Sequence, residues 1–135
     1  MPDAAELARL VAAARDARAN AHAPYSKFHV GAAVLLDNGH SVTGANVENA
    51  SYGLTCCAER VAIFSARTQH PRARIIALAV SAGGDDFVHA THHTRMPCGA
   101  CRQVMMEFMS ADSPVCIDGV GAHALSELLP VPFKL

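Results

Sequence analysis

The order of elements along this chain predicts a three-layer α/β fold with a mixed sheet. Apolar residues recur at helical spacing near the N-terminus, and two apolar runs around an Asp-Asn-Gly turn follow as a hairpin. The hairpin is followed by a helical segment, a continuous apolar run, a second helical segment and a short apolar run. Helices that alternate with strands after a hairpin cover both faces of a sheet that has parallel and antiparallel neighbours.

Length and composition predict a single domain, residues 1–135, that associates with copies of itself. A chain of 135 residues suits one core. Hydrophobic residues make up 51% of it and charged residues only 17%. We expect more apolar surface than a core of this size covers, and oligomerisation would bury the excess.

Charge and cysteine usage exclude several classes of function. Eleven basic and twelve acidic residues leave a net charge of -1, without Trp or a Lys/Arg cluster, so no nucleic-acid partner is expected. Residues 1–6 lack the pattern of a signal peptide, and no segment approaches ~20 apolar residues, so we expect a cytoplasmic protein with no membrane association. Five cysteines, an odd number, favour reduced thiols and metal binding over disulfides.

The first third of the chain predicts a helix and a hairpin. The residues at positions i, i+3, i+4 and i+7 of one helical face are Leu7, Leu10, Val11 and Ala14. Pro24 ends the helical region, because it disfavours helical geometry at the preceding residue. Strands are expected at 29–36 and 41–47, joined by a turn at 37–39. Asn46 and Glu48 at the second strand's end are either binding groups or ordinary solvated loop residues.

The remaining elements alternate. We expect a helix over 55–70, with Thr55 or Ser51 as its cap, then a strand at 75–80 that is apolar on both faces and is reached by a crossover. A helix from residue 98 follows, with Cys101, Val104, Met105 and Phe108 on one face. Residues 115–117 predict a short strand and 125–129 a final helical turn, while the number of strands within 115–124 stays open.

The polar segment 85–96 carries three histidines, His89, His92 and His93. Clustered histidines can bind metal, but the last two are adjacent and lack the one-turn spacing of ligands on a helix. A solvated loop is the better interpretation.

Two short motifs carry the chemistry: Cys57-Ala58-Glu59 and Pro97-Cys98-Gly99-Ala100-Cys101. Three thiols can hold zinc and leave its fourth tetrahedral position open for water, with the glutamate free to move protons. A structural zinc site would need a fourth protein ligand, for which Cys56 is the candidate; a small core residue is the better interpretation of that cysteine. Arg60, three residues after Cys57, either offsets the negative charge of the thiolates or is a surface arginine.

Residues beyond these motifs agree with one family. The sequence resembles the small cytidine deaminases that act on free nucleosides, through segments that cover nearly the whole chain in order: 23–33 (APYSKFHVGAA), 46–53 (NVENASYG), 57–60 (CAER), 97–103 (PCGACRQ) and 128–130 (LLP). The resemblance implies an α/β/α domain with a mixed five-stranded sheet, one Zn²⁺ per chain and a homotetramer. It also implies hydrolytic deamination of cytidine and deoxycytidine to uridine and deoxyuridine in pyrimidine salvage, in which zinc activates water for attack on C4 and Glu59 shuttles protons.

The same resemblance assigns roles residue by residue. It implies zinc ligation by Cys57, Cys98 and Cys101, with Arg60 next to the ligands. It implies substrate contacts to the ribose from Asn46 and Glu48, and to the base from Phe28 and the Ala58 amide. Tyr52 and Phe133 are also implied to bind substrate, Tyr52 near a subunit boundary and Phe133 by closing a neighbour's site.

Two alternatives remain. One is a deaminase for another aminopyrimidine nucleoside, such as a cytosine-containing antibiotic. Assays of cytidine, deoxycytidine and larger analogues side by side would distinguish it from a cytidine deaminase. The other is a non-catalytic zinc or nucleic-acid-binding module, against which the open coordination position and the lack of a basic aromatic surface argue.

Overall fold

A five-stranded sheet lies at the centre of the fold. The computed structural model describes residues 1–83 and 92–135. The strands are β1 (His29–Leu36), β2 (Ser41–Ala45), β3 (Ile75–Gly83), β4 (Pro114–Ile117) and β5 (Gly121–Ala124), in the spatial order β2-β1-β3-β4-β5. β3 and β4 are parallel, whereas the other neighbouring pairs are antiparallel. The mixed five-stranded sheet is therefore confirmed, and the hairpin of β4 and β5 settles the strand count that the sequence left open.

Helices cover both faces of this sheet. They are α1 (Ala4–Ala17), α2 (Ala58–Gln69), α3 (His92–Arg95), α4 (Gly99–Phe108) and α5 (Leu125–Leu128). Alternate residues of each strand point to opposite faces. On one face, Ala33 and Ala79 form a small core with Leu10 of α1; on the other, Val34 and Val80 join a larger core with α2 and α4. The three predicted layers are thus present.

Close packing of α2 against β2 determines where the first motif lies. A Cβ atom on Gly44 would lie 2.5 Å from the backbone nitrogen of Ala62 and 2.7 Å from the carbonyl oxygen of Ala58. Only glycine therefore allows the first turn of α2 to approach the strand this closely. This contact places Cys57, immediately before α2, beside the sheet.

Two predicted boundaries are wrong for one shared reason. Val47 exchanges backbone hydrogen bonds of 3.0 and 2.9 Å with Cys56 instead of continuing the pairing of β2 with β1. Cys56 is therefore extended and lies outside the helix. β2 therefore ends at Ala45 rather than at Val47, and α2 begins at Ala58 with Cys57 as its N-cap rather than Thr55 or Ser51. The Thr55 hydroxyl instead accepts a hydrogen bond from the backbone N–H of Asn49.

The polar segment 85–96 is described only from residue 92. His89 lies outside the described residues. His92 and His93 are exposed and belong to the short helix α3, where a loop was expected.

Among residues 1–83 and 92–135, no helix has the length and apolar character needed to cross a membrane.

Candidate metal centre

Two helix N-termini bring three cysteine sulfurs together. Cys57 is the N-cap of α2, Cys98 is the N-cap of α4, and Cys101 lies in the first turn of α4. The Sγ atoms of Cys57 and Cys98 are 3.9 Å apart and those of Cys98 and Cys101 are 3.4 Å apart. Both helix dipoles place partial positive charge at this point, which favours thiolate over thiol.

The geometry and charge of these sulfurs fit zinc. Tetrahedral ligation with Zn–S bonds of ~2.3 Å separates sulfurs by roughly 3.8 Å, close to the two distances found. A hydrogen bond from the Cys101 thiol, assisted by Arg60, lowers the pKa of Cys57 to about 5. The same hydrogen bond and burial raise the pKa of Cys101, because the shared proton stays there. A divalent cation would displace that proton and be held by all three sulfurs.

No fourth cysteine joins the cluster. In the described part of the chain, the side chains grouped closely enough to hold a metal are Cys57, Cys98 and Cys101 alone. Cys56 is half-buried and sits in the extended backbone pair with Val47. Cys56 therefore lies before α2, in extended backbone, and is not part of the helix start that positions Cys57. Burial raises the pKa of the Cys56 thiol, as expected for a small packing residue.

Arg60 contacts the cluster from α2. Its Nη2 lies 3.2 Å from Cys57 Sγ, and this hydrogen bond raises the pKa of the guanidinium. Its Nε is buried and has no hydrogen-bond partner in the structure as described. The guanidinium is therefore placed to offset negative charge on the sulfurs.

Glu59 is the second residue of α2 and is 4% exposed. Its burial raises the pKa of the carboxyl to about 7, an effect that a hydrogen bond with Cys101 partly offsets. A buried carboxyl beside the cluster can hold or release a proton near neutral pH.

A cavity of about 380 Å³ opens beside the cluster. The cavity is lined by most of the residues that were predicted from the sequence to form the site: Phe28, Asn46, Glu48, Cys57, Ala58, Glu59 and Cys98. Asn46 shapes the wall through its side chain, which donates to the Phe28 carbonyl at 2.7 Å and accepts from the Val30 N–H at 2.8 Å. Glu48 accepts from the backbone N–H groups of Tyr25 and Ser26 at 3.0 and 3.1 Å.

Two assigned residues lie away from this cavity. Tyr52, in a 3-10 turn before α2, is 80% exposed, and Phe133, near the C-terminus, is 70% exposed. Phe133 lines a separate cavity along α4, and its carbonyl accepts from Gln103 at 3.0 Å. Within one chain, neither side chain reaches the metal centre.

The structure also adds residues that the sequence did not suggest. The cavity wall includes Ser26, Val80, Ala82, Thr94, Arg95 and Met96. Arg102 supports the start of α4 by donating to the carbonyls of Pro97 and Leu128 at 2.8 and 2.7 Å. Its position directly after Cys101 was the available signal, but the Leu128 carbonyl is 26 positions away in sequence.

Comparison with known proteins identifies relatives over nearly the whole chain. Residues 5–117 match the family described as the cytidine and deoxycytidylate deaminase zinc-binding region. A cytidine deaminase of Halalkalibacterium halodurans is 45% identical over 92% of this chain and 91% of its own length. One from Mycobacterium tuberculosis is 46% identical over 90% of this chain and 85% of its own. The crystal structure of cytidine deaminase from Burkholderia pseudomallei aligns with a TM-score of 0.81 at 42% identity, covering 93% of this chain and 98% of that one.

Proposed function

Since the chain belongs to the cytidine deaminase family, we propose that it hydrolyses cytidine and deoxycytidine to uridine and deoxyuridine, releasing ammonia, as a step of pyrimidine salvage. One observation carries this proposal. Three cysteine sulfurs form one cluster, and two of them, Cys57 and Cys98, line a cavity together with the carboxyl of Glu59, which is 4% exposed. This is the set of groups that hydrolytic removal of an amino group from a pyrimidine ring requires.

Cys57, Cys98 and Cys101 would hold the zinc. When bound, zinc supplies a Lewis acid that lowers the pKa of water and so provides a nucleophile at neutral pH. Glu59 takes the proton that the attacking water loses and delivers it to N3 of the ring. It then takes the proton of the hydroxyl added at C4 and transfers it to the C4 amino nitrogen, so that the C4 carbonyl forms as the C–N bond breaks and ammonia leaves. Arg60 keeps the negative charge of the thiolates from weakening the metal as a Lewis acid.

The cavity wall supports a nucleoside as substrate. Glu48 is ionised at neutral pH, since hydrogen bonding, chiefly from Ser26, lowers the pKa of its carboxyl. A carboxylate accepts hydrogen bonds from sugar hydroxyls and repels a phosphate group. Asn46 shares the ribose contact, Phe28 packs against the base, and the Ala58 N–H at the start of α2 orients the ring. The substrate is therefore the nucleoside rather than the nucleotide.

The exposed apolar side chains support a homotetramer in which Phe133 closes a neighbouring subunit's cavity. Tyr52 and Leu54 are 80% and 70% exposed, and Phe64 of α2 is 45% exposed. Exposure of such apolar side chains to water is unfavourable in a monomer, and association of subunits would bury them. Tyr52 takes part in the contact between subunits. The side chains of Val131 and Phe133 in the C-terminal segment are also exposed, so they are accessible to another copy.

Loss of cytidine absorbance on incubation with the purified chain, with zinc quantified per chain, tests the proposal. Cytidine, deoxycytidine and bulkier aminopyrimidine nucleosides are compared side by side. Turnover of the first two with about one zinc per chain is expected. Turnover of a bulky analogue alone, or none with full zinc content, would reject it.

A further inference from the structure

Ser26 connects two residues of the cavity wall. Its hydroxyl donates a hydrogen bond to Oε2 of Glu48, and its Oγ accepts one from the backbone N–H of Phe28 at 3.0 Å. Ser26 itself lines the cavity. The Ser26 hydroxyl therefore ties Oε2 of the Glu48 carboxylate to the backbone of Phe28.

The hydrogen-bond capacity of Glu48 is nearly used up by the protein. A carboxylate has about four lone-pair sites, two on each oxygen. Oε1 accepts from the N–H groups of Tyr25 and Ser26, so both of its sites are taken. Oε2 accepts from the Ser26 hydroxyl, so one site remains for a ligand. The direction of that last lone pair depends on the bond to Ser26.

The turn that carries Ser26 is held in an uncommon conformation. Lys27 has a φ of 61°, in the left-handed region that a non-glycine residue adopts only at a cost. Its N–H donates to the Ala23 carbonyl at 3.0 Å. Such a conformation persists where surrounding bonds hold it, and the bonds from this turn to Glu48 do so.

We propose that Ser26 is a positioning residue for nucleoside recognition, whose hydroxyl aims the remaining lone pair of Glu48 at a sugar hydroxyl. The inference rests on the proposed function and assigns a residue to it. Ser26 acts through Glu48 and takes no part in the proton transfers.

The test compares Ser26→Ala and Ser26→Thr with the wild type on cytidine and on 2′,3′-dideoxycytidine. Ser26→Ala raises the KM for cytidine about tenfold, the usual effect of one lost hydrogen bond to a charged group, and leaves kcat within about twofold. The KM for the dideoxy substrate changes at least threefold less, because the hydroxyls are missing. Ser26→Thr, which keeps the hydroxyl, restores the KM for cytidine. Ser126→Ala, which removes an exposed hydroxyl from α5, is the matched control and has no effect.

A second readout does not depend on activity. The carbon-13 shift of the Glu48 carboxyl, followed against pH, shows a higher pKa in Ser26→Ala than in the wild type, because the bond that lowers it is gone. An unchanged pKa would overturn the inference. Equal changes in KM for both substrates, or no change in an active enzyme, would overturn it and leave the proposed function standing. A wild type that leaves cytidine intact would overturn both.

Discussion

The metal centre and the mouth of the cavity differ in how much of each a single chain provides. Cys57, Cys98 and Glu59 converge from two helix starts, with sulfurs 3.9 Å apart and a carboxyl only 4% exposed. Tyr52, which the resemblance places near a subunit boundary, and Phe133, which it places over the mouth of a neighbour's cavity, are 80% and 70% exposed. The groups for chemistry are assembled within one fold, whereas closure of the mouth is proposed to come from a second copy. Substitutions in the two regions should therefore differ in kind: the first should change kcat or zinc content, the second KM.

The largest effect is expected at the metal centre. Glu59→Gln should lower kcat by ~10²–10⁴-fold, because an amide keeps the shape of the side chain but cannot shuttle protons. Zinc content and nucleoside binding should be retained, as measured by metal analysis and calorimetry. Glu107→Gln, an exposed residue of α4, serves as control. More than a tenth of wild-type kcat in Glu59→Gln would remove Glu59 from the proposed role.

A smaller effect is expected from the residue beside the ligands. Arg60→Gln should lower zinc affinity or activity about 10–100-fold, because the thiolates lose the cation 3.2 Å from Cys57 Sγ. Competition with a chelator measures the affinity. Arg9→Gln, exposed on α1, is the control. Full zinc affinity and an unchanged pH-rate profile would show that the contact of Arg60 with Cys57 does not affect the metal.

At the mouth, Phe133→Ala should raise KM several-fold and leave zinc in place. Co-assembly provides the sharper measurement. A mixture of Glu59→Gln and Phe133→Ala chains forms some cavities that have both an intact Glu59 and a donated Phe133. The mixture is expected to be more active than the weighted sum of the activities of the two variants measured separately. Strict additivity, or a monomer by light scattering, would contradict shared sites.

The smallest effect is expected away from both regions. Asp118 accepts hydrogen bonds from Arg15 and Ser81 at 2.8 and 2.7 Å, and the Arg15 bond is the main cause of its lowered pKa. Because the folded state holds this carboxylate below its ordinary pKa of about 4, its stabilising contribution is complete above that pH and is lost as pH falls through the folded value. Asp118→Asn should therefore lower stability by about 1 kcal/mol at pH 7, and the difference should shrink as pH falls through the folded-state pKa of Asp118.

Thermal unfolding across pH, with exposed Asp112→Asn as control, measures this effect. A loss of stability that stays the same as pH falls would mean that packing, not the ion pair, is responsible. Activity and zinc content should be unaffected in either case.

The sequence predicted the centre of the molecule better than its edges. Hydrophobic periodicity identified α1 and the strand at 75–80. The spacing of Cys98 and Cys101 predicted that both lie at the start of one helix. These predictions succeeded because the signals are local. The start of α2 was misplaced, since the pairing of Val47 with Cys56 is a tertiary contact. The hydrogen bond from the Ser26 hydroxyl to Glu48 was missed for the same reason, because the carboxylate lies twenty-two positions away in sequence.

X-ray absorption at the zinc edge tests the central claim most directly, because it counts the atoms that hold the metal. The account predicts three sulfur neighbours at ~2.3 Å and one oxygen or nitrogen at about 2.0 Å, the signature of an open catalytic site. Four sulfur neighbours would contradict it, since Cys56 or another thiol would then complete a closed structural site. Absence of tightly bound zinc from the active enzyme would contradict it equally.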